Sequence, residues 1–432
     1  MKQLIVLFDR SSGLNKYSVP TNVYRLSCAL SGLSDRIIFY YSGNDTSDAT
    51  LNLYPRKGFE EKLAEAYTDI MNNYRPGDKI YIFGFSSGAY IARVFANFIA
   101  RVGVYKTPRY TEGLASALKA YKDGTLDRDI NDHQYETIPE RVSKVHMVEI
   151  EVVGCWDTVA GLGLPWKAGG ISGRYEHFSP SLVKGIKHAF HALALDEYRR
   201  PFSPIMWFLP SDPVAAESID LQQCWFTGAH SNVGGGYNDQ ALADLTLAWM
   251  VDLCRPFLDF DQEYINQVVV FHHQPSKLHS SRGRSTRLEH ADGYDTEYQG
   301  WGRGRCYDSY RMGQTWTWKY RTPGGYYKET NETMHPSVRV RWQSSREENI
   351  ELRDGPGIYA PTALSGFEPR EGANGKWEWV KTRNGEEVLV IPETPFSGRD
   401  TLQTGKSFEA LLRYAFVEPE NHHKERFMAN IY

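Results

Sequence analysis

Residues 79–90 read KIYIFGFSSGAY: a β-branched and aromatic run, then Gly84-Phe85-Ser86-Ser87-Gly88, then helix formers. A G-x-S-x-G box bounded by a strand over Lys79–Phe83 and a helix over Ala89–Val102 constrains the fold more than any other segment. In that setting the serine sits on a tight strand-to-helix turn with its hydroxyl clear of the sheet. Gly84 and Gly88 then let neighbouring backbone approach where a Cβ would clash. The free N–H groups and positive dipole end of the following helix suit a developing oxyanion. An ordinary glycine–serine turn in a βαβ unit is the plainer reading of the same five residues.

The flanking pattern is that of an α/β chain. Leu4–Phe8 and Ile37–Tyr41 read as strands. Pro20-Thr21-Asn22 opens a helix with Val23, Leu26, Leu30 and Leu33 on one side, and Gly58–Tyr74 is amphipathic and closed by Pro76-Gly77-Asp78. Val145–Gly154 and Gln222–Phe226 add strands, while residues 178–198 and Asp239–Cys254 read as helices. Strands alternating with helices predict a mostly parallel sheet with helices on both faces. Residues 104–142 are helical and polar and read as an insertion in a core spanning 1–260. Residues 261–432 read as an aromatic-rich β/loop extension packed on that core, and 280–330 lack a helical period. Arg282, Arg284 and Arg287 read first as a solvated loop and second as an anionic-headgroup contact.

Composition narrows the class. With 432 residues, 41% hydrophobic and 24% charged, the chain can bury a large core. A net charge of −4 gives no footing for nucleic acid. No apolar run reaches the roughly 18 residues a membrane-spanning helix needs. The short apolar run at the N-terminus ends in Asp9-Arg10, so it reads as a buried strand rather than a signal peptide, and the chain is expected to be cytoplasmic as synthesised. Cys28, Cys155, Cys224, Cys254 and Cys306 are scattered without zinc spacing and suit a reducing compartment.

A serine hydroxyl is a weak nucleophile until a base takes its proton, and the usual base is a histidine oriented by a carboxylate. In open parallel sheets such groups stand beyond the carboxyl ends of strands. Asp157, in GCWDTVAGLG, and His230, in WFTGAHSNVGGGY, both follow predicted strands. With Ser86 they run in the α/β-hydrolase order of Ser, Asp, His. The plainer readings are a helix cap for Asp157 and a strand-end loop for His230. The Ser87 N–H and an N–H from Arg10–Ser11 are the expected oxyanion donors, and no cofactor or metal is required. His335 is the main rival base, and Asp196, Asp239 and Asp244 are rival acids. His188 and His191 share a face of the predicted helix, which reads as packing before metal; His272, His273 and His279 form a looser cluster.

Several segments together resemble one family, the uncharacterised α/β-hydrolase domain of type VI secretion phospholipase effectors. They are IVLFDRSSGLN with PTNVYRL, RPGDKIYIFGFSSGAYIARV, VVGCWDTVAGLG, HAFHALALDEYRRPFSPIMW, WFTGAHSNVGGGY with LADLTLAWM, and ETMHPSVRVR, in order over about residues 3–341. The resemblance implies a Ser-Asp-His hydrolase of acyl esters, with phospholipids as the family's substrates. Motif by motif, the nucleophile falls on Ser86, the acid on Asp157 and the base on His230. It implies as partners a lipid or other acyl-ester substrate, peripheral membrane contact, and an immunity or secretion protein, with delivery by a secretion system to another compartment.

The chain departs from that pattern at three places. Asp9-Arg10-Ser11 stands in place of Asp-Gly-Thr, Ser87 in place of an Arg after the nucleophile, and Asn232 in place of an Asp after the histidine. Gly84, Gly88, Asp9 and Asn232 are therefore expected to shape the site. Two alternatives stay open: a catalytically altered hydrolase-fold scaffold that binds a lipid or protein partner, and a thioesterase or amidase. The site is expected to lie under a cover built from residues 104–142 and 301–327, the latter carrying Trp301, Trp316, Trp318, Tyr326 and Tyr327.

Overall fold

The computed structural model describes residues 1–10, 19–32, 34–43, 58–106, 111–123, 125, 145–159, 182–273, 301–309, 318–325, 330–347, 358–373, 375–395 and 407–409. In chain order the first half contains β1 (Gln3–Phe8), α1 (Asn22–Leu30), β2 (Arg36–Tyr41), α2 (Gly58–Asn73), β3 (Lys79–Phe85), α3 (Ser87–Val102), β4 (Val104–Tyr105), α4 (Thr111–Lys122), β5 (Val145–His146) and β6 (Ile150–Trp156). Then come β7 (Ile186–Ala194), α5 (Pro213–Glu217), β8 (Asp220–Phe226), α6 (His230–Gly234), α7 (Ala241–Cys254), α8 (Gln262–His273), β9 (Glu332–Met334) and α9 (Pro336–Glu347). A small antiparallel sheet, β10 (Phe367–Glu371), β11 (Trp377–Arg383) and β12 (Glu386–Pro392), follows.

Seven of these strands form one sheet in the order β2-β1-β3-β6-β7-β8-β9, and every neighbouring pair is parallel. A parallel sheet is buried on both faces, and its strands alternate between two cores. In β1, Leu4, Val6 and Phe8 meet one core while Ile5 and Leu7 meet the other; in β3, Ile80 and Ile82 oppose Tyr81, Phe83 and Phe85. The first core is closed by α2 and α3 through Leu63, Ile70, Phe95 and Ile99, and the second by α1 and α7 through Val23, Leu26, Leu247 and Val251. The strand order reverses between β1 and β3, the kind of switch point at which open sheets bind ligands.

Register then decides what meets what. Phe8 pairs with Gly84, Phe85 with Trp156, Trp156 with Ala192, and Ala194 with Phe226. The residues that follow these strands, Asp9-Arg10, Ser86, Asp157, Glu197 and His230, therefore emerge along one edge.

Four expectations need correction. Residues 186–194 form the strand β7, not part of a helix. The segment IKHAFHALA is rich in helix formers, and a short apolar run does not distinguish a buried strand from a helix; lying between β6 and β8 it pairs with both. His188 and His191 therefore point to opposite faces and cannot share a ligand. The predicted strand 145–154 is two strands, of which β5 pairs antiparallel with β4 and only β6 enters the main sheet. The third correction concerns the insertion. Its described helix α4 packs on the outer part of α3, with the Tyr121 hydroxyl on Asn97 Oδ1 at 3.0 Å and its ring 5.2 Å from Phe98, not over the elbow; residues 126–144 lie outside the described residues. Lastly, the region read as β and loop also supplies two helices, α8 and α9, and the seventh strand of the main sheet, β9. Trp225, Met334, Val338, Trp379 and Ile391 share a third core that holds the small sheet against β8 and α9.

At the elbow the fit is backbone against backbone. A Cβ on Gly88 would lie 2.2 Å from the Phe8 carbonyl oxygen, and one on Gly84 would lie 2.6 Å from the Gly88 carbonyl oxygen. Neither neighbour is a side chain that can swing aside. Gly88→Ala is expected to cost about 1–3 kcal/mol or more of stability, read as a lower urea midpoint at an unchanged slope.

Candidate active site

Ser86 joins β3 to α3 with φ 61° and ψ −126°, a conformation that side-chain-bearing residues rarely hold. Such strain persists where surrounding structure over-determines it. Here the Ser86 N–H donates to the Trp156 carbonyl at 3.1 Å, and the Ser86 carbonyl accepts the Tyr90 N–H at 3.3 Å. Ser87 is the first residue of α3, so its N–H is among those that no carbonyl of the same helix can reach.

Asp157 follows β6 with φ 38°, and its N–H donates to the Ala192 carbonyl at 2.7 Å. Its carboxylate has no exposure to solvent. Oδ1 accepts the Ala194 N–H at 3.1 Å and Arg321 Nη1 at 3.0 Å. Oδ2 accepts Arg321 Nη2 at 3.0 Å and faces His230 Nδ1 at 2.6 Å. Burial pushes the Asp157 pKa up, but the Arg321 charge and the bond with His230 outweigh it and hold the carboxyl far below the usual carboxylate range.

His230 opens α6 and completes the chain of groups, with Nε2 2.8 Å from Ser86 Oγ. The tautomer that donates from Nδ1 to Asp157 leaves the Nε2 lone pair facing the serine hydroxyl. Phe85 and Phe202 flank the imidazole at 4.7 and 4.9 Å. Burial is the largest influence on its pKa and lowers it; Asp157 and then Glu197 push back only in part, so the net shift is downward. The His230 backbone is anchored too, its N–H donating to Glu197 Oε2 at 3.2 Å. Glu197 is itself gripped by Arg199 Nε and Nη2 at 2.8 and 2.9 Å and by the Ser309 hydroxyl at 3.0 Å.

The rival groups are occupied elsewhere. His335 Nε2 lies 2.6 Å from Glu409 Oε1, and its Nδ1 lies 2.7 Å from the Ser337 hydroxyl. Asp239 accepts the N–H groups of Ala241 and Arg305, Asp244 pairs with Arg25, and Asp196 accepts the Gly228 N–H and the Tyr359 hydroxyl. His191 accepts the Thr158 N–H on Nε2 at 3.0 Å and faces Gln223 Oε1 from Nδ1. Burial and then the Arg93 charge push its pKa down to about 3, so it serves the Asp157 turn as a neutral ring.

The expected shaping residues divide. Asn232 Oδ1 accepts the Ala229 and Tyr307 N–H groups, each at 3.1 Å, while Nδ2 donates to the Arg305 carbonyl at 2.9 Å. The Arg10 amide, expected to face an oxyanion, donates instead to Asp9 Oδ1 at 2.7 Å. Ser11, Arg282, Arg284, Arg287, His279, Trp316, Tyr326 and Tyr327 lie outside the described residues. Trp301 is buried in the core near His335, and Trp318 is exposed beside Arg199. Among the described residues of 301–325, Arg321, Arg305, Tyr307 and Ser309 touch the site or its supports. Arg321 and Ser309 lie in no sequence motif; Glu197 and Arg199 fall within HAFHALALDEYRRPFSPIMW, a segment that carries the family resemblance without marking either as a support of the base.

A parallel sheet with a strained serine turn at its edge, and a histidine–aspartate pair converging on that serine, defines an α/β-hydrolase-like protein. The chain belongs to the family described as T6SS, Phospholipase effector Tle1-like, catalytic domain, whose model matches residues 2–253. The uncharacterized protein YEL023C of Saccharomyces cerevisiae is 30% identical over 172 residues, covering 38% of this chain and 24% of that protein. A solved structure of the Tle1 effector bound to the VgrG spike from the type 6 secretion system is 19% identical over 55% of this chain and 51% of that one, with a TM-score of 0.28. The crystal structure of an uncharacterized protein from Pseudomonas aeruginosa is 18% identical over 61% of this chain and 47% of that one, with a TM-score of 0.35. The chain thus spans about a quarter of the curated relative and about half of each solved structure. Among the described residues no helix is long and apolar enough to cross a membrane.

Arg321 lies outside the matched span yet answers the most buried charge of the site. Removing one partner of a buried pair costs about 3–5 kcal/mol, so Arg321→Met is expected to lose that much at neutral pH. The sign with pH follows from linkage. A carboxylate whose folded pKa is lowered adds stability above its unfolded value, about 3.9, and loses it as pH falls toward the folded value. Urea midpoints of wild type and Arg321→Met should therefore differ most at neutral pH and converge as pH falls below about 4.

Proposed function

We propose that the protein is a serine hydrolase of acyl esters, of phospholipase or lipase type, in which Ser86 is the nucleophile, His230 the general base and Asp157 the acid that orients it. The observation that carries this reading is the continuous chain of short contacts, Ser86 Oγ to His230 Nε2 at 2.8 Å and His230 Nδ1 to Asp157 Oδ2 at 2.6 Å, on a strained turn. Ser86 Oγ attacks the ester carbonyl as its proton passes to Nε2. The imidazolium is stabilised by Asp157, and the oxyanion by the Ser87 N–H at the start of α3. We do not give the Arg10 amide that role, because it is spent on Asp9. The leaving alcohol takes the proton from His230; water then attacks the acyl-serine, gives a proton to His230, and restores Ser86 as the acid departs.

Family membership supports a phospholipid or similar lipid ester as substrate, and a secretion-system route with a secretion or immunity protein as partner. The second reading, a hydrolase-fold scaffold without turnover, draws on the Arg10 amide's engagement with Asp9. Fluorophosphonate labelling separates the two, because a reactive elbow serine is modified covalently and an inert one is not. Labelling is expected at Ser86, and Ser86→Ala should lose both label and activity, the latter by on the order of 10⁶. An unlabelled wild type would favour the scaffold.

The pH profile is a separate test of the base. His230 must be neutral to accept a proton, and its pKa is lowered from the ordinary 6.5. Activity on p-nitrophenyl esters should rise with pH along an acid limb centred below 6.5 and be flat at neutral pH. A limb centred above that value, or one that survives His230→Ala, would assign the base elsewhere.

A further inference from the structure

Among the described residues no carboxylate forms an ion pair with the Arg10 guanidinium. Arg10 follows β1 at the switch point between β1 and β3, beside the elbow that β3 carries. Its Nη1 donates to the Ser231 hydroxyl at 3.1 Å, one residue past the base. Its guanidinium carbon lies 5.8 Å from the centre of the Phe85 ring, and that ring packs on the His230 imidazole. Gly236 leaves room for the guanidinium itself: it has φ 109°, and a Cβ there would sit 2.5 Å from Arg10 Nη2. Arg10 Nε is buried and makes no hydrogen bond.

The two nearby carboxylates are spent. Asp9 accepts the Arg10 amide at 2.7 Å, the Thr21 hydroxyl at 2.5 Å and the Tyr40 hydroxyl at 2.6 Å. Glu197 is held in the fork of Arg199. Burial weakens the hold of Arg10 on its proton, Asp9 and Tyr237 strengthen it, and the like charge of Arg199 weakens it again. A buried, underbonded guanidinium within the field of a second positive charge is a costly arrangement that an incoming anion relieves. Its planar fork matches two oxygens of a carboxylate or phosphate-type group.

We propose that Arg10 forms an anion subsite beside Ser86, and that the preferred ester carries a carboxylate or phosphodiester close to the bond that is cut. The subsite rests on the hydrolase reading above. It makes Arg10 a specificity residue, with Nη2 as the donor that a substrate anion meets and the Ser231-bonded Nη1 beside it.

Two ester pairs test it and locate the charge. Mono-p-nitrophenyl glutarate against its methyl ester carries the anion on the acyl side. Dihexanoyl phosphatidylmethanol against dihexanoylglycerol, both as monomers, carries it on the alcohol side. Wild type is expected to favour the charged member of at least one pair in kcat/KM. Arg10→Gln should lower that charged-to-neutral ratio about tenfold or more, the loss of hydrogen bonds to a charged group. Arg10→Lys keeps the charge without the fork and should give an intermediate ratio; should the Gln variant not fold, a Lys ratio equal to wild type overturns the subsite. A wild-type ratio near one on both pairs, or a ratio that Arg10→Gln does not move, also overturns it. Turnover of the neutral esters without charge preference removes the subsite alone, whereas no turnover of any of the four removes the hydrolase reading with it.

Discussion

A carboxylate shut away from water has to be answered by donors, and Asp157 draws them from three distant parts of the chain. The Ala194 N–H comes from 37 residues away, His230 from 73 and Arg321 from 164. Each donor fixes the position of its own segment relative to β6. The end of β7, the start of α6 and the strip around residue 321 are thereby gathered at one point on the sheet edge. An ionised carboxylate without these partners would be expelled or protonated. The same charge thus organises the site and ties a segment beyond the family-matched span to the core.

Electrostatics at His230 follow from that arrangement. The ring lies between Phe85 and Phe202, a setting that disfavours the charged form. Asp157 favours the charged form, but Arg321 also claims both of its oxygens. Burial prevails, and the imidazole is held neutral with its free lone pair toward Ser86. Glu197 holds the backbone of the same residue while Asp157 bonds its ring, so two carboxylates position the imidazole and both favour its charged form against burial.

The departures from the family pattern have physical content. Asn232 both accepts and donates, on the Ala229 and Tyr307 N–H groups and the Arg305 carbonyl. An ionised aspartate could accept the first two bonds but could not make the third. Here the amide clips residues 305–307 beside α6. At Arg10 the backbone and the side chain have separated roles: the amide closes on Asp9, while the guanidinium reaches past His230 into the space left by Gly236.

Local pattern dictates the strand–elbow–helix unit, because a β-branched run, two glycines at fixed offsets and an apolar helix leave few alternatives. It also dictates that Ser86, Asp157 and His230 each follow a strand, and parallel register then brings the three to one edge. What it left undetermined is decided by partners far away in the chain. IKHAFHALA suits helix or strand, and only the gap between β6 and β8 selects the strand. Three residues, Glu332–Met334, are too short to read as part of the sheet until β8 offers them an edge. Arg321, in a stretch without periodicity, acquires its place from a buried charge 164 residues earlier. Local pattern encodes which segments are strands and turns; the pairing of buried charges is a property of tertiary contact, and no spacing in the chain records it.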